Sequence, residues 1–116
     1  MECVVAILSA LSDPIRLRSL ALMAGEGELC VCELTYTLEA GQPTISKHLA
    51  TLREAGLVKD RRRAQWVFYS VATDLRPWAG RVVDAALDGV AQAAEHAADL
   101  RRLKAMPGRP PRDGLA

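Results

Sequence analysis

The chain has 116 residues, half of them hydrophobic, a quarter charged and 4% aromatic, with a formal net charge of +1. That length suits one domain, and the apolar content supports a core of Leu, Val and Ala, which excludes a wholly disordered chain. The apolar run Val4–Leu8 is far short of a membrane span or a secretion-signal core, so a cytoplasmic, non-membrane protein is expected.

In chain order, a first helix is expected over Met1–Leu11, with Val4, Ile7, Leu8 and Leu11 at helical spacing. Ser12-Asp13-Pro14 is a boundary: Asp13 can cap the next helix, and Pro14 suits its first position, where the missing N–H has no partner to lose. Leu17, Leu20, Ala21 and Ala24 stripe that second helix to about Gly25. A short third helix spans Val31–Glu39. Gln42-Pro43 opens a fourth, with Ile45, Leu49 and Leu52 on one face and Gly56 where a left-handed residue closes a helix.

From Leu57 the period changes from helical to alternating. Leu57–Asp60 and Trp66–Val71 read as a two-stranded hairpin with Arg61, Arg62 and Arg63 at its tip. Pro77 starts a last helix whose stripe runs through Val82, Val83, Ala86, Val90, Ala97 and Leu100 to about Leu103. A helix of roughly 28 residues would be about 42 Å long, more than one small domain covers, so a homodimer through the N- and C-terminal helices is expected. Residues 1–106 then form one domain, and the Pro- and Gly-containing segment 107–116 a disordered tail.

The near-neutral total hides segregated charge. Gln42–Arg63 carries a net +4 and Ala24–Gly41 a net −4. A nucleic-acid surface needs only local positive charge, and Thr44, Lys47, His48 and Thr51 share one polar face of the fourth helix. That face also argues against a winged helix that binds only protein. Cys30 and Cys32 flank Val31 at the start of the third helix, and paired thiolates suit soft, thiophilic ions. Residues i and i+2 of a regular helix point to different sides, so one bound atom would have to distort the first turn. There is no Cys-x-x-Cys, Gly-rich phosphate loop or Cys/His nucleophile arrangement, so an enzyme is not expected.

This order of elements, mainly α with a basic hairpin, is that of a winged helix-turn-helix. LSDPIRLRSL, ELCVCEL, QPTISKHLATLREAGLV and DRRRAQWVFYSV resemble the ArsR/SmtB family of metal- and metalloid-responsive repressors, and ELCVCEL resembles the arsenite site of the arsenic-operon repressors. The resemblance implies a homodimer that binds an imperfect inverted repeat in operator DNA and leaves it when trivalent arsenic or antimony binds Cys30 and Cys32. Carried onto this chain, Gln42, Thr44, Ser46, Lys47, His48 and Thr51 are the candidate DNA contacts of the recognition helix, and Arg61, Arg62 and Arg63 those of the wing.

Three departures from the family pattern matter. Ala64 and Gln65 stand where a glycine and a basic residue commonly follow the wing's arginines, so a turn needing positive φ would be strained. Thr35 stands where the arsenic-operon repressors carry a third cysteine, so a third sulfur ligand could come only from Cys3, of the same or the other subunit. The Asp-x-His zinc pair is broken after Asp84, and His96 with Asp99 is only a remnant, so no zinc site is expected there. A cadmium-, lead- or zinc-responsive repressor, or a thiol-redox sensor, remains the alternative of the same fold.

Overall fold

The computed structural model describes residues 1–112. Its elements are α1 (Glu2–Leu11), α2 (Pro14–Glu26), β1 (Leu29–Cys30), α3 (Val31–Leu38), α4 (Gln42–Glu54), β2 (Val58–Arg63), β3 (Trp66–Val71), α5 (Pro77–Ala91) and α6 (Ala94–Ala105). The local signals act as their chemistry requires. The Asp13 carboxylate accepts from Ile15 N–H at 2.8 Å and Arg16 N–H at 3.1 Å, which satisfies two free donors at the start of α2. Gly56 takes φ 79° just after α4, where a side chain would be strained.

One core joins all layers. Leu20, Leu22 and Met23 of α2, Leu34 of α3, and Ile45, Leu49 and Leu52 of α4 are buried against Leu57, Val58, Val83 and Leu103. The three apolar positions of α4 form its inner face, so Thr44, Ser46 and Lys47 are turned to solvent. Among the described residues, no helix is long and apolar enough to cross a membrane.

The fold departs from the sequence expectations in four places. The expected two-stranded hairpin is a three-stranded antiparallel sheet of order β1-β3-β2, with Leu29 opposite Tyr69 and Cys30 opposite Phe68. Two residues are too few to show an alternating pattern, which hides β1 in the sequence. The arginine run lies inside β2, with Arg61 opposite Phe68 and Arg63 opposite Trp66, and only Ala64-Gln65 form the turn.

The single long terminal helix is two helices, broken where Ala93 adopts an extended backbone with ψ 146°. The break lets α6 fold back on α2 and α3, where fully buried Asp99 accepts two hydrogen bonds from Arg18, at 2.9 and 2.8 Å, and one from Arg102 at 2.5 Å. The chain therefore covers α6 itself, and helix length no longer argues for a partner. Residues 107–112, expected to begin a disordered tail, lie against α3; the rest of that expected tail, 113–116, lies outside the described residues.

Candidate nucleic-acid interface and thiol site

α3 and α4 form the helix-turn-helix. Gln42, Thr44, Ser46 and Lys47 are exposed along the outer face of α4. Half-buried Thr51 donates to the Lys47 carbonyl at 3.2 Å. His48 turns inward: its Nδ1 lies 2.9 Å from an Arg16 Nη, which has only protons to offer, so Nδ1 accepts and Nε2 carries the ring proton. The same Arg16 donates through Nε to the Ala10 carbonyl at 2.6 Å, joining the end of α1, the start of α2 and the recognition helix.

The three wing arginines differ in environment. Arg61 is paired with Glu28 just before β1, donating through Nε at 2.7 Å and also through an Nη, and its guanidinium lies 5.3 Å from the Phe68 ring centroid. That bond, ahead of opposing burial and the charges of Arg61, Arg112 and Arg63, holds the Glu28 carboxyl below its ordinary value. Arg62 is exposed and Arg63 half-buried on the outer strand. Ala64 sits at φ 53°, the strained turn that its sequence position implied.

The thiol pair stands at the join of strand and helix. Cys30 ends β1 with an extended backbone (φ −86°, ψ 162°) and caps α3, while Cys32 lies in the first turn. Their Cα atoms are 5.4 Å apart and the two sulfurs are paired as a disulfide. The expected unwinding of the first turn is therefore not needed: Cys30 precedes the helix, and its extended backbone aims both sulfurs to one side. They border an open cavity of ≈ 300 Å³ whose other walls are Val31, Thr35, Gln42 from the recognition helix, and Gln65, Trp66 and Val67 from the wing. Thr35 donates its hydroxyl proton to the Cys32 carbonyl at 2.9 Å. Cys3 borders a different cavity, with Ile7, Arg76 and Trp78, and is not brought to the pair within this chain.

Three residues of the site were not singled out from sequence. Glu33 is fully buried; its carboxylate accepts the Cys30 N–H at 2.8 Å, the glutamate half of a capping box. Arg109 donates to the same carboxylate at 2.6 Å and to Glu26 at 3.0 Å. Arg112 also donates to Glu33, and its guanidinium lies 4.7 Å from the Phe68 ring centroid. Glu33 stands three residues after Cys30, the capping-box spacing, and was legible on that ground. The two arginines stand in a Pro-rich segment without periodicity. In the His96/Asp99 remnant, Asp99 is committed to Arg18 and Arg102.

Comparison with known proteins agrees with this architecture. Residues 13–60 match the family described as bacterial regulatory protein, arsR family. The chain is 48% identical over 106 residues to the arsenic resistance transcriptional regulator ArsR1 of Pseudomonas putida, covering 90% of this chain and 80% of that one. It is 44% identical over 109 residues to ArsR2 of the same organism, covering 94% and 93%. The solved structure of HlyU from Vibrio cholerae superposes with a TM-score of 0.67 at 33% identity, over 78% of this chain and 95% of that one. The chain thus belongs to the arsR family of bacterial regulatory proteins, non-catalytic transcriptional regulators that bind DNA through a winged helix-turn-helix.

Proposed function

We propose that this protein is a homodimeric repressor that binds operator DNA and is released when trivalent arsenic or antimony binds Cys30 and Cys32. The observation that carries it is the shared cavity. The two sulfurs border a space whose other walls include the first residue of the recognition helix and the turn and inner strand of the wing. A soft ion held there bears on both DNA-contacting elements without any relay through the core. Reversing occupancy from 99:1 to 1:99 takes about 5.5 kcal/mol of differential binding, within reach of soft thiolate bonds. The pair must be in its dithiol form to bind the ion.

On DNA, Gln42 and Thr44 suit base edges at the helix N-terminus, and Ser46 and Lys47 suit phosphates. Lys47 is a point charge without the planar fork that reads a base pair bidentately. His48 acts by holding α4 on Arg16, and Thr51 by bonding within α4. Arg62 and Arg63 of the wing are better placed for phosphates than Arg61, which is paired with Glu28. Dimerisation is supported by the apolar face that α1 leaves exposed, with Val5 57% and Leu8 51% accessible. Two recognition helices in a dimer call for an inverted repeat with half-site centres about 10–10.5 base pairs apart.

The test is a mobility-shift titration of the reduced protein on its upstream DNA with arsenite, antimonite, cadmium and zinc. Cys30→Ser and Cys32→Ser should each keep DNA binding and lose release, because a serine hydroxyl cannot replace a thiolate for a soft metalloid. A normal response in the double variant would refute the assignment. The sulfur pairing favours a second reading, reversible oxidation of the same pair as the signal. It requires peroxide to release DNA in the absence of any metalloid, and a thiol reductant to restore binding.

A further inference from the structure

We infer that Arg16 is a positioning residue for DNA binding: it ties the recognition helix α4 to the end of α1 and thereby sets the separation of the two recognition helices in the dimer. The inference rests on the homodimer reading above and adds the part that holds its two DNA-binding halves at a fixed distance. Arg16 lies in the first turn of α2. Through Nε it donates to the Ala10 carbonyl at 2.6 Å, and through one Nη to the Ser9 carbonyl at 3.3 Å. Through the other Nη it donates to His48 Nδ1 at 2.9 Å. Among the hydrogen bonds of the described residues, no other side chain bonds both α1 and α4.

Local chemistry accounts for this grip. Ala10 lies in the last turn of α1, where carbonyls run out of intrahelical donors. Its partner one turn on would be the N–H of residue 14, and Pro14 has none. The proline that starts α2 thus leaves a carbonyl for another donor to satisfy, at the negative end of the α1 dipole, where a cation is favoured. Arginine meets both needs, because its planar fork turns two N–H groups to α1 while a third faces α4. Asp13 Oδ1 lies 3.9 Å from His48 Nδ1, beyond hydrogen-bond reach, so Arg16 is the partner that fixes the ring. The ring and the guanidinium are both half-buried.

The link runs from the dimer face to the DNA face. α1 carries the exposed apolar residues, Val5 and Leu8 among them, on which the dimer reading rests, and the gripped carbonyls of Ser9 and Ala10 directly follow Leu8. His48 follows Lys47 and lies one turn after Thr44 on α4. Buried Ile45, Leu49 and Leu52 hold α4 to the core, but apolar attraction is non-directional and leaves the helix free to roll; the bond to His48 has a direction. An operator with half-site centres about 10–10.5 base pairs apart demands a fixed distance between the two helices. One extra base pair shifts a half-site by about 3.4 Å and rotates it by about a tenth of a turn. A loose α4 follows that shift and a held one does not. Arg16 therefore contributes specificity for spacing, not for bases.

The experiment measures mobility shifts of the full-length reduced protein on its upstream operator, on that operator with one base pair inserted at its centre, and on unrelated DNA. Wild type should prefer the native spacing by at least about tenfold, the scale of one mismatched base pair. Arg16→Lys keeps the charge and lacks the fork, and His48→Leu removes the acceptor. Each should lose about tenfold on the native operator and keep its affinity for the other two DNAs. His48→Asn, whose amide oxygen stands where Nδ1 accepts, should keep the wild-type preference. Because both substitutions cut one link, Arg16→Lys/His48→Leu should lose no more than either alone. Sedimentation at the same concentrations reads dimerisation, and urea unfolding reads the fold.

A folded, dimeric Arg16→Lys protein that keeps its spacing preference would overturn the inference, as would an equal loss on all three DNAs, which marks a phosphate contact or a general loss of stability. Additive losses in the double variant, a His48→Asn protein that behaves as His48→Leu, or a dimeric wild type without spacing preference would overturn it too. If Arg16→Lys does not fold, His48→Leu against His48→Asn decides the matter alone. A wild type that sediments as a monomer and binds both spacings alike would overturn the homodimer reading, and the inference with it.

Discussion

Arg109 donates to the carboxylate of Glu33 across 76 residues of sequence, and that carboxylate, fully buried, also accepts the backbone N–H of Cys30. With Arg112 on the same carboxylate, the residues after α6 are clasped to the start of the helix that carries the thiol pair. A buried carboxylate is tolerable only with its charge matched and its lone pairs used. Removing both guanidiniums leaves it with one backbone donor. Arg109→Ala/Arg112→Ala should therefore lower stability by about 3 kcal/mol in urea unfolding. Glu33→Gln placed in that background should recover part of the loss, because it removes the unmatched charge.

The wing arginines should separate in a salt titration of DNA binding. Removing a side chain that neutralises one phosphate lowers the slope of log affinity against log salt by about 0.9. Arg62→Ala and Lys47→Ala should each show this drop on every DNA sequence, whereas Arg61→Ala should not, since Glu28 already holds its guanidinium. Thr44→Ala should keep the slope and relax sequence preference. A change of specificity with an intact slope in Lys47→Ala would assign that residue to base reading.

The Glu28–Arg61 pair also predicts an acid response. Arg61's hydrogen bond is the main cause of the lowered Glu28 pKa. A carboxyl depressed on folding stabilises the fold above its unfolded pKa and loses that contribution as pH falls through the folded value. The difference in urea midpoint between about pH 7 and about pH 3 should thus be smaller in Glu28→Gln than in wild type. The pair is partly exposed, so the difference should shrink further in high salt.

Ala64 holds φ 53° in the wing turn, a conformation that costs an L-residue roughly 1–2 kcal/mol. Ala64→Gly should raise stability by about 1 kcal/mol in thermal or urea unfolding. A neutral or destabilising result would mean that the added chain freedom of glycine outweighs the relieved strain.

Cys3 should be dispensable for the metalloid response. X-ray absorption on the arsenite complex should find two As–S neighbours and one light atom in wild type and in Cys3→Ser alike. A third sulfur in wild type that disappears in Cys3→Ser would make Cys3 a ligand supplied across the dimer.

Much of this protein was determined by local sequence. Asp13-Pro14, Gln42-Pro43 and Pro77 fix three helix starts, Gly56 closes the recognition helix, and the apolar spacing of Ile45, Leu49 and Leu52 decides which face of α4 is left for DNA. Caps and periodicities act within a turn or two, so they are written beside the residues they govern. The thiol pair was legible for the same reason. Tertiary structure alone decided the rest. It placed Cys30 in a strand opposite Phe68, which aims the two sulfurs together without melting a turn, and folded α6 back through Asp99 to Arg18. It turned His48 to Arg16, gave Arg61 to Glu28, and brought Arg109 to Glu33. Each of these partners lies 30 or more residues away along the chain and leaves no local pattern; for the buried Asp99 and Glu33, what selects the partner is the cost of burying a charge unpaired, which exists only once the core has closed.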